Sequence, residues 1–191
     1  GVFYTFGPIP LSRMPLGEVF SGVTMGLGIF AITIYLNTYD KKLFFMELDL
    51  KHFALTGSTT AALAVVWASL PLIATIANIM LANNISDLEQ DIANHRYTLP
   101  FYLGKRNAVI LFNLLMYSSY AAILIGLIAG IYQWPILLIF VSLVKVYPQT
   151  KIFTKEQIKS KTFAMSIKNL VTFNGCYALG LLVTLLWQFI N

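Results

Sequence analysis

The chain has 191 residues, of which 58% are hydrophobic and only 11% are charged. This balance excludes an ordinary soluble domain and indicates a protein embedded in a lipid bilayer. The net charge of +5 does not favour nucleic-acid binding, because no patch of basic and aromatic residues lies outside the apolar segments.

Five apolar runs follow one another along the chain, and four are long enough to cross about 30 Å of hydrocarbon, which takes about 20 helical residues. The fourth, between Trp134 and Pro148, is short: it is a thin span, a tilted helix or a re-entrant segment. We count it as a span because the charge pattern requires it. We therefore predict an all-α, polytopic membrane helical bundle, a single domain over 1–191 with about five transmembrane helices at 19–36, 60–82, 108–131, 135–146 and 170–190.

Two connecting segments flank the first span. Residues 7–15 are rich in proline and form a stiff lead into it. Residues 37–58 mix acidic, basic and aromatic side chains, a composition that predicts an interfacial crossing on the outer membrane face. We expect no catalytic group in residues 37–58.

A polar run closes the second span, from Asn83 to Asp91 (NNISDLEQD). Asn83, Asp87 and Asp91 recur every four residues, so a continuing helix places them along one stripe. Mg²⁺ typically takes one or two protein carboxylates and leaves its other positions to water and phosphate oxygens. The stripe therefore predicts a diphosphate site with Asp87 and Asp91 as metal ligands. The simpler interpretation is a solvated helix end; a calcium loop is excluded, since its central Gly and distant Glu are absent.

Basic residues follow the stripe. Arg96, with Lys105 or Arg106, is predicted to fold back over the carboxylates, and a planar guanidinium suits bidentate phosphate contact. His95 is interpreted as a polar loop residue, and Pro100 is expected to break regular helix. A second basic segment, residues 147–168, is predicted to form a lid, or more simply to anchor lipid headgroups.

The basic residues also predict the orientation. With five spans, ten of the 13 basic residues fall on the face that carries the acidic stripe, and three fall on the other face. By the positive-inside rule the stripe is cytoplasmic. Cys176 is the single cysteine and lies within the last apolar run, so no disulfide forms within the chain.

These residues resemble a known family. The run from Asn83 to Asp91, followed by Thr98-Leu99 and Leu103-Gly104, resembles the second Asp-rich motif of the UbiA-type intramembrane prenyltransferases. It is most similar to the menaquinone branch, 1,4-dihydroxy-2-naphthoate prenyltransferase. The segment YTFGPIP beginning at Tyr4, continued by Gly17-Glu18, resembles the loop before that branch's fifth helix.

The resemblance covers the whole chain but only the C-terminal five of the family's nine helices. Nothing in the chain resembles the first Asp-rich motif, and the chain begins at Gly1 without Met. We therefore expect an N-terminally truncated chain that supplies half of a metal site and is inactive alone. Ser86, Asn94 and Pro100 depart from the branch, which commonly has Arg, Gly and a small residue at these positions.

The resemblance implies a function and roles. The full-length protein would be a Mg²⁺-dependent enzyme of a bacterial cell membrane that transfers a polyprenyl group from polyprenyl diphosphate to an aromatic acceptor, 1,4-dihydroxy-2-naphthoate, in menaquinone biosynthesis. An electron-rich ring carbon would attack the allylic cation, with loss of CO₂ and a proton. Catalysis and metal binding are assigned to Asp87 and Asp91, diphosphate binding to Asn83, Asn84, Arg96, Lys105 and Lys151, and the acceptor side to Tyr4 and Arg13.

Two alternatives remain open. The acceptor can be another aromatic compound, such as 4-hydroxybenzoate, homogentisate or a porphyrin-type ring. The chain can instead be a transporter or a structural membrane subunit whose acidic helix end gates cations. A transporter is expected to place ionisable residues near the middle of the membrane, and the long apolar runs carry charge only at their edges. This pattern favours the enzyme.

Overall fold

The computed structural model describes residues 14–39, 44–49 and 51–190. The described residues form seven helices and one β-hairpin. In chain order the elements are α1 (Gly17–Asn37), β1 (Phe44–Leu48), β2 (Phe53–Gly57), α2 (Thr59–Ser86), α3 (Leu88–Ala93), α4 (Leu99–Leu103), α5 (Lys105–Ile128), α6 (Trp134–Lys155) and α7 (Phe163–Ile190).

Five of these helices, α1, α2, α5, α6 and α7, are long and apolar enough to cross a membrane. The predicted helical bundle with about five spans is thereby confirmed. The fourth span was predicted to end at residue 146, but α6 continues through Pro148 to Lys155. Its first nine residues, Trp134–Ser142, form a 3₁₀ helix, which rises about 2 Å per residue. Together with 13 α-helical residues this gives roughly 37 Å, enough to cross the hydrocarbon.

The connection between α1 and α2 contains an antiparallel hairpin rather than continuous irregular chain. Phe44 lies opposite Gly57, and Leu48 lies opposite Phe53. Pairing the two strands satisfies the backbone N–H and C=O groups that face each other within this segment. The charge and aromatic composition of residues 37–58 did not predict this hairpin.

Helix α2 is central and contacts α1, α5 and α7. One apolar cluster joins α5, α6 and α7 around Tyr120, Ile139 and Phe173. A second cluster lies under the last turns of α2, where Leu81, Ala82 and Ile85 meet Ala108, Phe112 and Phe153. The rings of Phe112 and Phe153 are 4.5 Å apart between centroids. This second cluster fixes the helix end that carries the acidic residues.

Helix α1 packs closely on α2 through glycine. Its middle, Gly22–Gly28, is π-helical. A Cβ atom at Gly26 would lie 2.5 Å from the backbone N of Ile73 and 2.6 Å from its Cα, closer than any real contact. The backbone of α1 at Gly26 therefore lies directly against the backbone of α2 at Ile73, with no side chain of α1 between them.

We expect Gly26→Ala to destabilise the protein by roughly 1–3 kcal/mol, because the added methyl group meets rigid backbone rather than a side chain that can move. Gly28→Ala is the matched control, since its Cβ would have no neighbour nearer than the Val23 carbonyl oxygen at 3.8 Å. The thermal midpoint of each purified variant in detergent measures the effect. Equal midpoints for the two variants would contradict the packing described here.

Candidate functional site

The acidic stripe begins in the last turn of α2. The helix ends at Ser86, and Asp87, with φ −99° and ψ 3°, separates it from α3. The continuous helix predicted through this run is therefore interrupted for one residue. The helical ladder nevertheless persists, because Asp87 N donates to Asn83 O at 3.0 Å and Asp91 N donates to Asp87 O at 2.7 Å. The interruption thus leaves the main-chain spacing of the three residues helical.

Lys159 lies over the first two members of the stripe. Its Nζ donates to Asn83 Oδ1 and, at 2.6 Å, to Asp87 Oδ2. The lysine comes from the short connection between α6 and α7, which is the part of the predicted basic lid that is not helical. Lys159 was not selected as a site residue from the sequence, because nothing in the local pattern pairs it with an acid 72 positions away.

Asp91 is paired by Arg96. The Arg96 guanidinium Nη1 lies 3.2 Å from Asp91 Oδ1. A tight turn brings it there: Arg96 N donates to Asp91 O at 2.8 Å, and His95 adopts a left-handed φ of 54°. Arg96 was predicted to fold back over the carboxylates together with Lys105 or Arg106. The structure places Arg96 against Asp91, whereas Lys105 and Arg106 line a separate cavity with Thr154 and Gln157. Only 3% of Asp91 is exposed, and its Oδ2 is buried without a hydrogen-bond partner among the described residues.

Burial raises the pKa of Asp91 above its ordinary value. The Arg96 guanidinium opposes this shift, the negative charge of Asp87 adds to it, and the Thr98 hydroxyl and the Lys159 ammonium oppose it more weakly. Desolvation therefore outweighs the ion pair at this carboxyl group. A cation bound at the unpartnered Oδ2 of this carboxyl group would offset the unfavourable desolvation.

A raised pKa means that the folded state binds the Asp91 proton more tightly than the unfolded chain does. The stability from this group is therefore fully present below the unfolded pKa and is lost as the pH rises to the folded value. We expect Asp91→Asn to be more stable than the parent at about pH 7 and to have no such advantage near pH 3. Thermal midpoints measured across this range test the sign, and a less stable variant at neutral pH would contradict it.

Asn84 faces away from the stripe. Its Nδ2 donates to Glu18 Oε1 at 2.9 Å, and both residues are buried. The two neighbouring asparagines at the end of α2 therefore serve different sides of the helix, with Asn83 towards Lys159 and Asn84 towards α1. In this structure Asn84 contacts Glu18 and not the acidic stripe. Its predicted role in binding diphosphate stays a prediction.

The other predicted diphosphate ligands lie apart from this pairing. Lys105 lines a cavity of about 330 Å³ together with Glu89 and Gln90. Lys151 lies on the exposed surface of α6, with its Nζ 4.7 Å from the centroid of the Tyr147 ring. Their roles stay predictions. The predicted acceptor-side residues, Tyr4 and Arg13, lie outside the described residues.

The donor atoms of the stripe suit a hard divalent cation. Three side-chain oxygens belong to the stripe: Asn83 Oδ1, Asp87 Oδ2 and Asp91 Oδ2. The first two accept hydrogen bonds from the Lys159 ammonium group, and Asp91 Oδ2 has no partner among the described residues. In the described part of the chain no three His, Cys, Asp or Glu side chains gather in one place. This set fits Mg²⁺ bound by two carboxylates and completed by phosphate oxygens better than it fits a zinc or calcium site.

A largely apolar groove runs from this end of the bundle along α2. The groove has a volume of about 460 Å³ and lies between α1, α2 and α5. At one end it is lined by Glu18 and Leu99, and at the other by Leu70 and Ala122. Leu99 follows Thr98, whose hydroxyl lies near Asp91. The groove therefore approaches the same end of the bundle as the acidic stripe.

Comparisons with known proteins place the chain in a family. The model of the UbiA prenyltransferase family matches residues 1–170. The chain is 27% identical over 158 residues to 1,4-dihydroxy-2-naphthoate octaprenyltransferase of Bacillus subtilis (strain 168). That alignment covers 83% of this chain but only 44% of the relative, so the chain spans less than half of its length. No solved structure matches the chain significantly.

Proposed function

We propose, from the premise that this chain belongs to the UbiA prenyltransferase family, that it works in an integral membrane enzyme which transfers a polyprenyl group from polyprenyl diphosphate to an aromatic acceptor. The observation that carries the proposal is the pair Asp87 and Asp91 at the end of α2, each facing a basic side chain, together with an apolar groove along the same helix. The acceptor we infer is 1,4-dihydroxy-2-naphthoate, because the Bacillus subtilis relative is named for it.

The acidic stripe forms the diphosphate end of the proposed site. Asp87, Asp91 and the side-chain oxygen of Asn83 are the groups that would hold Mg²⁺. When bound, Mg²⁺ supplies positive charge that neutralises the diphosphate as it leaves. Arg96 and Lys159 lie at the same carboxylates, so their cations can turn from the acids to the phosphate oxygens once the ligand is present.

The basic side chains assist bond breaking selectively. As the allylic C–O bond breaks, negative charge accumulates on the diphosphate. A fixed cation beside it therefore stabilises the transition state more than the ground state, which is the condition for raising kcat. Arg96 is held for this by its backbone turn, and its planar fork suits two phosphate oxygens.

The apolar groove is the proposed place for the isoprenoid chain. Its lining side chains from α1, α2 and α5 are aliphatic apart from Glu18 and Ser118. Such a lining excludes water, which would otherwise capture the allylic cation and give a prenyl alcohol. The electron-rich ring carbon of the acceptor is then the nucleophile that captures the cation.

The stripe is proposed to face the cytoplasm of a bacterial cell. The support is the distribution of basic residues. Ten of the 13 fall on the membrane face that carries the acidic stripe, and three fall on the other face. A soluble naphthoate acceptor and a membrane-embedded prenyl diphosphate would then meet at the inner surface of the membrane.

An acceptor comparison tests the proposal. The purified full-length protein is offered a radiolabelled polyprenyl diphosphate with 1,4-dihydroxy-2-naphthoate, 4-hydroxybenzoate or homogentisate, with Mg²⁺ or with EDTA. We expect a prenylated naphthoate product that requires Mg²⁺. Preferred turnover of another acceptor would overturn the inferred substrate, and the absence of product with all three would overturn the enzymatic proposal.

A further inference from the structure

The proposed mechanism leaves one buried acid without a role. Glu18, in the first turn of α1, is only 3% exposed. Its Oε1 accepts a hydrogen bond from Asn84 Nδ2 at 2.9 Å. Its Oε2 is buried and has no hydrogen-bond partner among the described residues. A buried polar atom of this kind is unfavourable unless something completes its hydrogen bonding.

Glu18 lies at the end of the apolar groove that also contains Leu99. It lines the groove beside Val19, Ala77 and Leu99. Its partner Asn84 precedes Asp87 by three residues in the chain. Three residues of helix correspond to a separation of about 4.5 Å along the helix axis. A group bound at Glu18 Oε2 would therefore lie within about one helical turn of the level at which the diphosphate is proposed to leave.

The chemistry of Glu18 selects one of the two substrates. An ionised diphosphate carries only acceptor oxygens and negative charge, so a carboxyl group repels it. An isoprenoid chain offers no polar atom at all. A phenolic hydroxyl both donates and accepts, and it can therefore satisfy Oε2 whether or not the carboxyl group is protonated.

We propose that Glu18 binds a ring hydroxyl of the aromatic acceptor, with Asn84 as the positioning residue that holds the carboxyl group. The inference rests on the proposed function. It assigns the mouth of the groove to the aromatic ring and leaves the apolar body of the groove to the isoprenoid chain. A hydroxyl that donates to Glu18 also gains electron density, which favours attack by the ring on the allylic cation.

The test separates acceptor binding from prenyl diphosphate binding. In the full-length protein, we expect Glu18→Ala to raise the KM for 1,4-dihydroxy-2-naphthoate roughly 10- to 100-fold, the size of losing a hydrogen bond to a charged group. The KM for polyprenyl diphosphate stays unchanged. Glu18→Gln, which keeps the side-chain volume and an oxygen for Asn84, protects the test against misfolding and is expected to lower kcat. Glu89→Gln, an exposed acid of α3, is the control and behaves like the parent.

A pair of inhibitors gives a second readout. The parent is expected to bind 1-hydroxy-2-naphthoate more tightly than 2-naphthoate, which lacks the hydroxyl, and Glu18→Ala is expected to bind the two equally. An unchanged acceptor KM in Glu18→Ala and Glu18→Gln overturns the inference, and so does a parent that does not distinguish the two inhibitors.

The proposed function fails separately, if the parent forms no prenyl product with any aromatic acceptor. In that case, thermal shifts by the same two naphthoates, measured without Mg²⁺ or diphosphate, still decide the role of Glu18. A larger shift of the parent by the hydroxylated compound, absent in Glu18→Ala, supports the inference. Equal shifts of the parent by both compounds overturn it.

Discussion

We expect Asp87→Asn and Asp91→Asn each to lower kcat for prenyl transfer by the full-length protein about a thousandfold or more. Each change removes one of the two carboxylate charges from the stripe while keeping the shape of the side chain. A bound metal ion contributes several kcal/mol of transition-state stabilisation, and a loss of roughly 4 kcal/mol corresponds to a factor of a thousand. Steady-state kinetics with labelled polyprenyl diphosphate at saturating Mg²⁺ measure the effect.

Two control measurements distinguish an effect on the site from an effect on the fold. Glu89→Gln removes an exposed acid between the two aspartates in sequence and is expected to leave the rate unchanged. The thermal midpoint of Asp91→Asn is expected to be no lower than that of the parent, because burial raises the pKa of Asp91 and so disfavours its charged form in the folded state. Full activity in both aspartate variants would remove the metal-site proposal.

Lys159→Met is expected to lower kcat about 100-fold, the usual effect of removing one fixed donor from developing negative charge. The same change is expected to strengthen Mg²⁺ binding in the absence of diphosphate. The reason is that the Lys159 ammonium occupies Asn83 Oδ1 and Asp87 Oδ2, and a metal ion must displace it. Thermal-shift titration with Mg²⁺ alone measures binding, and initial rates measure catalysis.

Lys161→Met is the matched control for Lys159→Met, because Lys161 is an exposed lysine of the same connection. Lys151→Met separates the contact in the structure from the sequence prediction, which placed Lys151 among the diphosphate ligands. If Lys151→Met loses activity and Lys159→Met keeps it, the sequence prediction is right and the role proposed for Lys159 is wrong. Equal losses in Lys159→Met and Lys161→Met would indicate a general effect of surface charge.

Local patterns in the sequence were sufficient for the membrane architecture. A transmembrane helix must pair its backbone N–H and C=O groups internally and present apolar side chains over its whole length. Each span therefore corresponds to one contiguous apolar run of the sequence. The five predicted runs correspond to the five helices of the described residues that are long and apolar enough to cross a membrane. The end of the fourth was wrong, because Pro148 was taken as a boundary although α6 continues through it.

The resemblance to the family was confirmed, since the family model matches residues 1–170. Its signal is also local, because the spacing of Asn83, Asp87 and Asp91 is fixed by one helical ladder. The hairpin between α1 and α2 was not predicted. Short strands are stabilised by pairing with a partner strand, so their own residues show a weaker pattern than those of an amphipathic or apolar helix.

The sequence by itself determined that this chain is membrane-embedded, with five apolar runs matching the spans of its described residues, that it belongs to a prenyltransferase family, and that acids are spaced along one helix end. Only the tertiary structure decided which side chains face those acids and their neighbours. Lys159 reaches Asp87 across 72 positions, and Asn84 reaches Glu18 across 66. The periodicity of a helix specifies which of its own residues share a face, but helix packing alone determines what lies opposite that face.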